Sequence, residues 1–241
     1  MRFAVDLFGP ASIELVPSYL LLGEASIGLS RFQQAEEYLS LAKYAVLKKP
    51  DCSHSLRSQL HRNFGRLYSS QGKYEDAVYQ LANDVYYSSL QFGPENISTT
   101  GGYFQLGNVF ALKSQQSSAL AMFEKVVEIW YAALTTAIKT LEQTNVEIID
   151  EAMSAECLQM LQRILTVREQ NLGNVHTATG ESYHILGMVY RYLRNYQKAK
   201  DHTEKALNVF ISAVGGDHPS TVMIKKSLTT LDALLKEGEL Q

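Results

Sequence analysis

Apolar residues recur along this chain at helical spacing. Between Leu60 and Leu90, Leu60, Phe64, Leu67 and Tyr68 fall at i, i+4, i+7 and i+8, the stripe of a helix that buries one face. A tight turn at Gly72-Lys73 separates it from a second helix carrying Ala77. Gly65 sits inside the first stripe, where a missing side chain lets a neighbouring helix come close. The same positions return down the chain: Gly23, Gly65 and Gly107 are 42 residues apart, and so are Ala35, Ala77 and Ala119. A fourth copy carries Gly187, Tyr190 and Ala199, with the same twelve residues from Gly to Ala. An aromatic stands three residues before the Ala as Phe32, Tyr74 and Tyr196, with Gln116 the exception. Connectors repeat as Phe8-Gly9-Pro10, Phe92-Gly93-Pro94, Leu172-Gly173 with His176-Thr177, and Val214-Gly215 with His218-Pro219. One such helical pair cannot bury its own apolar face, so stacking of copies is expected.

A Gly-then-Tyr first helix followed by an Ala-bearing second helix resembles the tetratricopeptide hairpin. The expected fold class is therefore all-α, a right-handed α-solenoid of tetratricopeptide hairpins with 42-residue spacing. The usual period is about 34 residues. The extra length lies in longer helices and in the Gly/Pro connectors, a style that resembles kinesin light chains. A single array over 1–241 is expected. Within it, 1–9 reads as the remnant of a preceding helix, and 12–49, 54–92 and 97–143 as hairpins. A degenerate repeat follows at 144–172, then a hairpin at 177–214 and a capping helix at 219–237.

Five places depart from regularity. Phe3, Val5 and Leu7 lack the first helix that should cover them, which favours a longer chain upstream. Asp84 occupies the slot that Ala42 and Ala206 fill elsewhere. A buried lone carboxylate is costly, so either its helix is rotated or the Asp has a partner. The helix from Gln116 shows no Gly/Pro break past Trp130 and is expected to run to about Gln143. The degenerate repeat between Thr135 and Leu172 keeps the stripe Cys157, Leu161, Ile164 and Leu165, but its first helix lacks Gly and Tyr. This irregularity reads as drift, or as a long protruding helix suited to docking. Thr203 stands where an aromatic is usual in the last hairpin, and Ile224, Leu228, Leu231 and Leu235 make the one-sided stripe of a cap.

Composition narrows the function classes. Hydrophobic residues make up 46% of the chain, enough for a continuous core. A net charge of −3 argues against nucleic acid, which calls for a clustered basic face. The apolar run Val16 to Leu22 is too short to span a bilayer, so no membrane partner is expected. Cys52 and Cys157 stand far apart, give no disulfide framework and suit a reducing compartment.

Candidate chemistry is absent, and no catalytic residue, metal ligand or cofactor is predicted. Cys52, His54 and His61 lack metal-ligand spacing. Gly101-Gly102 follows no strand and precedes no Lys-Ser/Thr, so it is no phosphate loop. Glu36-Glu37 and Glu75-Asp76 sit one residue apart on helices and do not converge. Protein binding is what remains. First helices of stacked hairpins line a concave groove. Arg62, Asn63, Arg66, Gln105, Asn108, His184 and Arg191 lie on first helices off the core stripe, so they are expected to face it. Their amides can pair with a guest backbone, and Arg can fork onto a carboxylate. Leu20 breaks the set of a chaperone-binding carboxylate clamp.

Three segments carry a closer resemblance: YLLLGEASIGLSRFQQAEEYL from Tyr19, HRNFGRLYSSQGKYEDAVYQLANDVYYSSLQFG from His61, and TTGGYFQLGNVF from Thr99. They resemble the tetratricopeptide region of the MYND zinc-finger ciliary protein family numbered twelve. LANDVYYSS and TTGGYF lie outside the generic repeat consensus and are the informative parts. The resemblance runs well from about Phe3 to Trp130 and more loosely beyond. The family's N-terminal MYND finger has no counterpart in this sequence, which removes zinc from the expectation. The resemblance implies a cytoskeletal place in the axoneme of cilia or sperm flagella, with inner dynein arm components and another tetratricopeptide protein as partners. The alternative is a soluble adaptor that reads a peptide of a chaperone or motor cargo in its groove.

Overall fold

The computed structural model describes residues 7–238. Among them are ten α-helices, one 3-10 turn (Ile13–Leu15) and no strand, the all-α hairpin class expected from the periodicity. The helices are α1 (Val16–Gly28), α2 (Phe32–Lys48), α3 (His54–Ser70), α4 (Tyr74–Phe92), α5 (Ile97–Leu112), α6 (Gln116–Thr144), α7 (Glu151–Leu172), α8 (Thr177–Tyr192), α9 (Tyr196–Val214) and α10 (Pro219–Gly238). Most of the expected remnant helix at 1–9, with Phe3 and Val5, lies outside the described residues. Two compact units divide the chain, Met1–Val126 and Val127–Gln241.

In the first unit α1 packs on α2 and α3 on α4, while α1, α3 and α5 touch in succession. The small-residue positions explain how. A Cβ on Gly65 would stand 2.5 Å from Leu81 Cγ, and one on Gly107 2.5 Å from the Phe123 ring. On Gly23 it would stand 2.7 Å from a Leu39 methyl carbon. These second-helix partners are themselves 42 residues apart, so one contact is repeated three times. Ala35, Ala77 and Ala119 are fully buried in the same hairpins.

Asp84 has the partner that its burial demands. It is 0% exposed. Arg62 Nε of α3 donates to it at 2.7 Å, Arg62 Nη2 at 3.3 Å and Ser58 Oγ at 2.5 Å. Gly101 and Gly102 of α5 close the other side. A Cβ on Gly101 would stand 2.7 Å from Arg62 Nη1, and one on Gly102 3.0 Å from Asp84 Oδ2. The glycine pair thus makes room for the ion pair of the preceding hairpin.

The second unit repeats the logic with different residues. Here α7, α8, α9 and α10 pack in chain order. Gly187 faces Thr203, whose Oγ1 would lie 2.6 Å from a Cβ there and which donates to the Ala199 carbonyl. A polar side chain fits this slot because its hydroxyl is satisfied within its own helix. Connectors reuse one device in both units. Gly93, Gly173 and Gly215 hold φ of +98°, +87° and +93°, which glycine adopts without a Cβ clash. Three residues on, Asn96, His176 or His218 accepts from a backbone N–H of the next helix. Three further on, Thr99, Thr179 or Thr221 donates back to the glycine carbonyl at 2.8–2.9 Å.

The long α6 does not protrude, which corrects the docking-helix expectation. Trp130, Leu134 and Ala137 on its second half are at most 2% exposed. Glu142 and Asn145 at its end bond Arg191 and Arg194, each at 2.6 Å. Tyr192 Oη then ties the following loop to the Ile149 backbone at 2.9 and 3.0 Å. An apolar stripe of this length needs cover, and α8 runs beside it, with Arg191 and Tyr192 lining a recess with Ile138, Leu141 and Glu142 of α6. The second half of α6 therefore serves as the first helix of the degenerate repeat, without that helix's usual Gly and Tyr.

The Asp84 network gives an asymmetric expectation. Arg62→Met leaves a fully buried carboxylate short of its cation and should cost about 3–5 kcal/mol. Asp84→Ala should cost less, because Arg62, whose side chain is 25% exposed, can turn to water. Combining the two should recover most of the loss, since Ala fills this slot in other hairpins. Urea unfolding of the three variants, with helicity checked by circular dichroism, measures this.

Candidate interaction surfaces

The seven residues expected to face a groove divide between the units. Five lie on α3 and α5. Arg62 differs from expectation in that its guanidinium is turned towards Asp84. Asn63 differs too. It is 7% exposed, its amide nitrogen donates to the Gln59 carbonyl at 3.0 Å, and its Oδ1 is buried. Arg66 bridges to Glu24 of α1, joining two first helices at the surface. Gln105 and Asn108 are half-buried on α5. Periodicity does not reveal the neighbours that draw Arg62 and Asn63 inward.

His184 and Arg191, two helical turns apart on α8, do come together. Both line a cavity of about 270 Å³ between α6, α8 and α10, shared with Tyr131, Met188, Met223 and Ser227. His184 is 7% exposed, and its Nδ1 has no hydrogen-bond partner among the described residues. The Tyr131 ring lies 6.3 Å from the imidazole, and Tyr131 Oη points to the Met223 sulfur at 3.6 Å. Arg191 Nη2 donates to Glu142 at 2.6 Å. Sequence reasoning missed Tyr131, Glu142 and Met223, because their helices lack the Gly and Tyr that mark a first helix. The available signal was their helical spacing beside the core stripes of α6 and α10.

The arrangement suits recognition of a peptide or side chain. A buried imidazole nitrogen can accept or donate according to its tautomer, and a mixed aromatic and thioether wall adapts to apolar groups. Among the described residues no three His, Cys, Asp or Glu side chains come close enough to hold a metal ion. No helix among them is long and apolar enough to cross a membrane. Cys157 is buried, and desolvation pushes its thiol pKa well up, which disfavours the nucleophilic thiolate.

The tetratricopeptide-repeat family model matches residues 153–212, from α7 through α9. A regulatory protein of Bacillus subtilis (strain 168), RapG, is 26% identical over 193 residues, 75% of this chain and 48% of that protein. The chain thus spans about half the length of that relative. A putative kinesin light chain of Podosopora anserina with nearly identical repeats of this kind is similar at 19% identity and a TM-score of 0.45. That match covers 84% of this chain and 96% of that one. BtubC of P. vanneervenii is similar at 16% identity and a TM-score of 0.41, over 90% and 88% of the two chains.

Burial lowers the His184 pKa from 6.5 to about 4. Desolvation also lowers those of His61 and His202. The folded protein keeps His184 neutral while the unfolded chain takes up a proton near pH 6.5, so acid favours unfolding. Its contribution is complete above about pH 6.5 and is lost as pH falls towards 4. His184→Gln should therefore show a smaller fall in Tm than the parent between pH 7 and pH 5, measured by differential scanning calorimetry. Equal falls would remove His184 from this role.

Proposed function

We propose that this chain is a non-enzymatic protein-interaction scaffold acting in the axoneme of cilia and sperm flagella. There it supports assembly or attachment of inner dynein arms beside another tetratricopeptide protein. The scaffold part is supported by the hairpin architecture and by first-helix surfaces that hold open, polar-lined recesses. The observation that carries it is the cavity at His184 and Arg191, which offers recognition groups without a nucleophile–base pair. The axonemal part rests on the resemblance of LANDVYYSS and TTGGYF to the ciliary family. Those segments hold Asp84, Gly101 and Gly102, the buried joint between two hairpins.

A second reading, a soluble adaptor that reads a peptide of a chaperone or motor cargo, is favoured by the unpartnered Nδ1 of His184. The two readings separate in one experiment. Tagged chain expressed in ciliated cells is fractionated into soluble extract and salt-resistant axoneme. A scaffold stays with the axoneme, and the combined substitution Gln105→Ala, Asn108→Ala and Arg191→Ala leaves that retention largely intact. Recovery of the parent chain in the soluble extract alone would contradict the axonemal role. Loss of all partner capture in the triple variant, with unchanged helicity, would favour the adaptor.

A further inference from the structure

A recess of about 270 Å³ opens in the first unit between α2, α3 and α4. Its floor is apolar: Val46, Leu60 and Phe64 are buried. At its mouth stand Leu47 and Tyr79, 65% and 67% exposed although both border the cavity. Large apolar side chains left at the rim of an apolar recess mark a surface that gains by being covered.

One wall is built from rings held in place. Tyr87 stacks between His54 and His61, with centroids at 5.9 and 5.4 Å. His61 Nδ1 is 2.7 Å from Gln80 Oε1, which fixes the imidazole. Side chains already ordered lose little entropy when a partner arrives. The charged groups lining the recess are both cationic. Lys43 lies 5.8 Å over the Phe64 ring, and the Arg57 guanidinium 5.7 Å from Tyr87. Arg57 Nη2 donates to the Pro50 carbonyl, leaving further N–H groups of its fork for a guest. Carboxylates act on two other lining residues: Glu36 and Asp76 on Tyr68, and the buried Asp84, already paired with Arg62, on His61. The recess is thus apolar in its depth and positive at one side, on a chain whose net charge is −3.

We propose that this recess docks an acidic protein segment, which inserts one apolar side chain against Phe64 and Leu60 while its carboxylates meet Lys43 and Arg57. Two cations suit a short peptide. A nucleic-acid strand would call for many more, since phosphate-backbone binders commonly make about 6–10 such contacts. The volume falls just under the roughly 300–1,000 Å³ of sites that enclose drug-sized ligands, so a single anchoring side chain is the fitting occupant. The surface is separate from the first-helix residues Arg66, Gln105 and Asn108, and does not depend on an axonemal role.

The test uses the full chain and a fluorescein-labelled peptide of Asp and Glu residues with one central Phe, read by fluorescence anisotropy. Controls replace the acids with Asn and Gln, or the Phe with Ser. The expected result is saturable binding of the acidic Phe peptide, at least about tenfold tighter than of either control. Lys43→Glu combined with Arg57→Glu should weaken it by at least about tenfold and shift preference to a Lys-based counterpart. Tyr79→Ser, at an exposed position that cannot unfold the chain, should weaken it as well. Equal affinity for acidic and neutral peptides would overturn the proposal, as would binding unmoved by the charge reversal and by Tyr79→Ser. Displacement of the peptide by a single-stranded oligonucleotide at lower concentration than by unlabelled peptide would also overturn it.

Discussion

Where Gly23, Gly65, Gly107 and Gly187 carry only hydrogen, the first helix of each hairpin settles onto Leu39, Leu81, Phe123 or Thr203 of its second helix. A methyl group at any of these positions would meet its neighbour at 2.5–2.7 Å. Glycine inside a helix costs about 0.5–1 kcal/mol relative to alanine, so four such positions are tolerated only because the close approach returns more. With the two helices that close, Ala35, Ala77, Ala119 and Ala199 are sealed between them. In the first unit α1 and α3 then each present a further face to the next hairpin. The exposed surfaces available to partners follow from that packing.

Hydrogen-bonded polar networks enter the interior at two places. Asp84, Arg62 and Ser58 form one in the first unit, over the pair Gly101-Gly102. Arg168 forms another in the second, 2% exposed and donating to the Ala178 carbonyl at 2.7 Å and to Ser182 at 3.0 Å. Buried ion pairs add little net stability over apolar packing, but they penalise any register that separates them. The segments most unlike a generic repeat, LANDVYYSS and TTGGYF, meet at the first of these networks. Their departure from consensus has a local physical cause, whatever partners the chain engages.

Much of the hairpin framework was legible because its markers are backbone-level requirements. Gly65 and Ala77 must be small whatever surrounds them, so their spacing survives in the sequence. The run of α6 to Thr144 was legible for a similar reason, since neither Gly nor Pro interrupts it before Asn145. Its role was not. Trp130, Leu134 and Ala137 declare an apolar face, but nothing local says what covers it. Arg62 shows the same limit, because helical spacing puts it off the core stripe while a carboxylate 22 residues away turns it inward. The cavity at His184 was half legible. Its own helix is marked by Gly187, whereas Tyr131 and Met223 come from helices without that marker.

The contact at Gly65 can be put to a direct test, because two physical effects predict opposite signs there. Helix propensity alone makes Gly65→Ala stabilising by about 0.5–1 kcal/mol. Close approach to Leu81 makes it destabilising by about 1–3 kcal/mol, and makes the loss disappear when Leu81 is also shortened to Ala. The measurement is a double-mutant cycle of Gly65→Ala and Leu81→Ala by urea denaturation. The account predicts a destabilised single variant and a gain from the same change in the Leu81→Ala background. A single variant as stable as the parent, or more so, would contradict it.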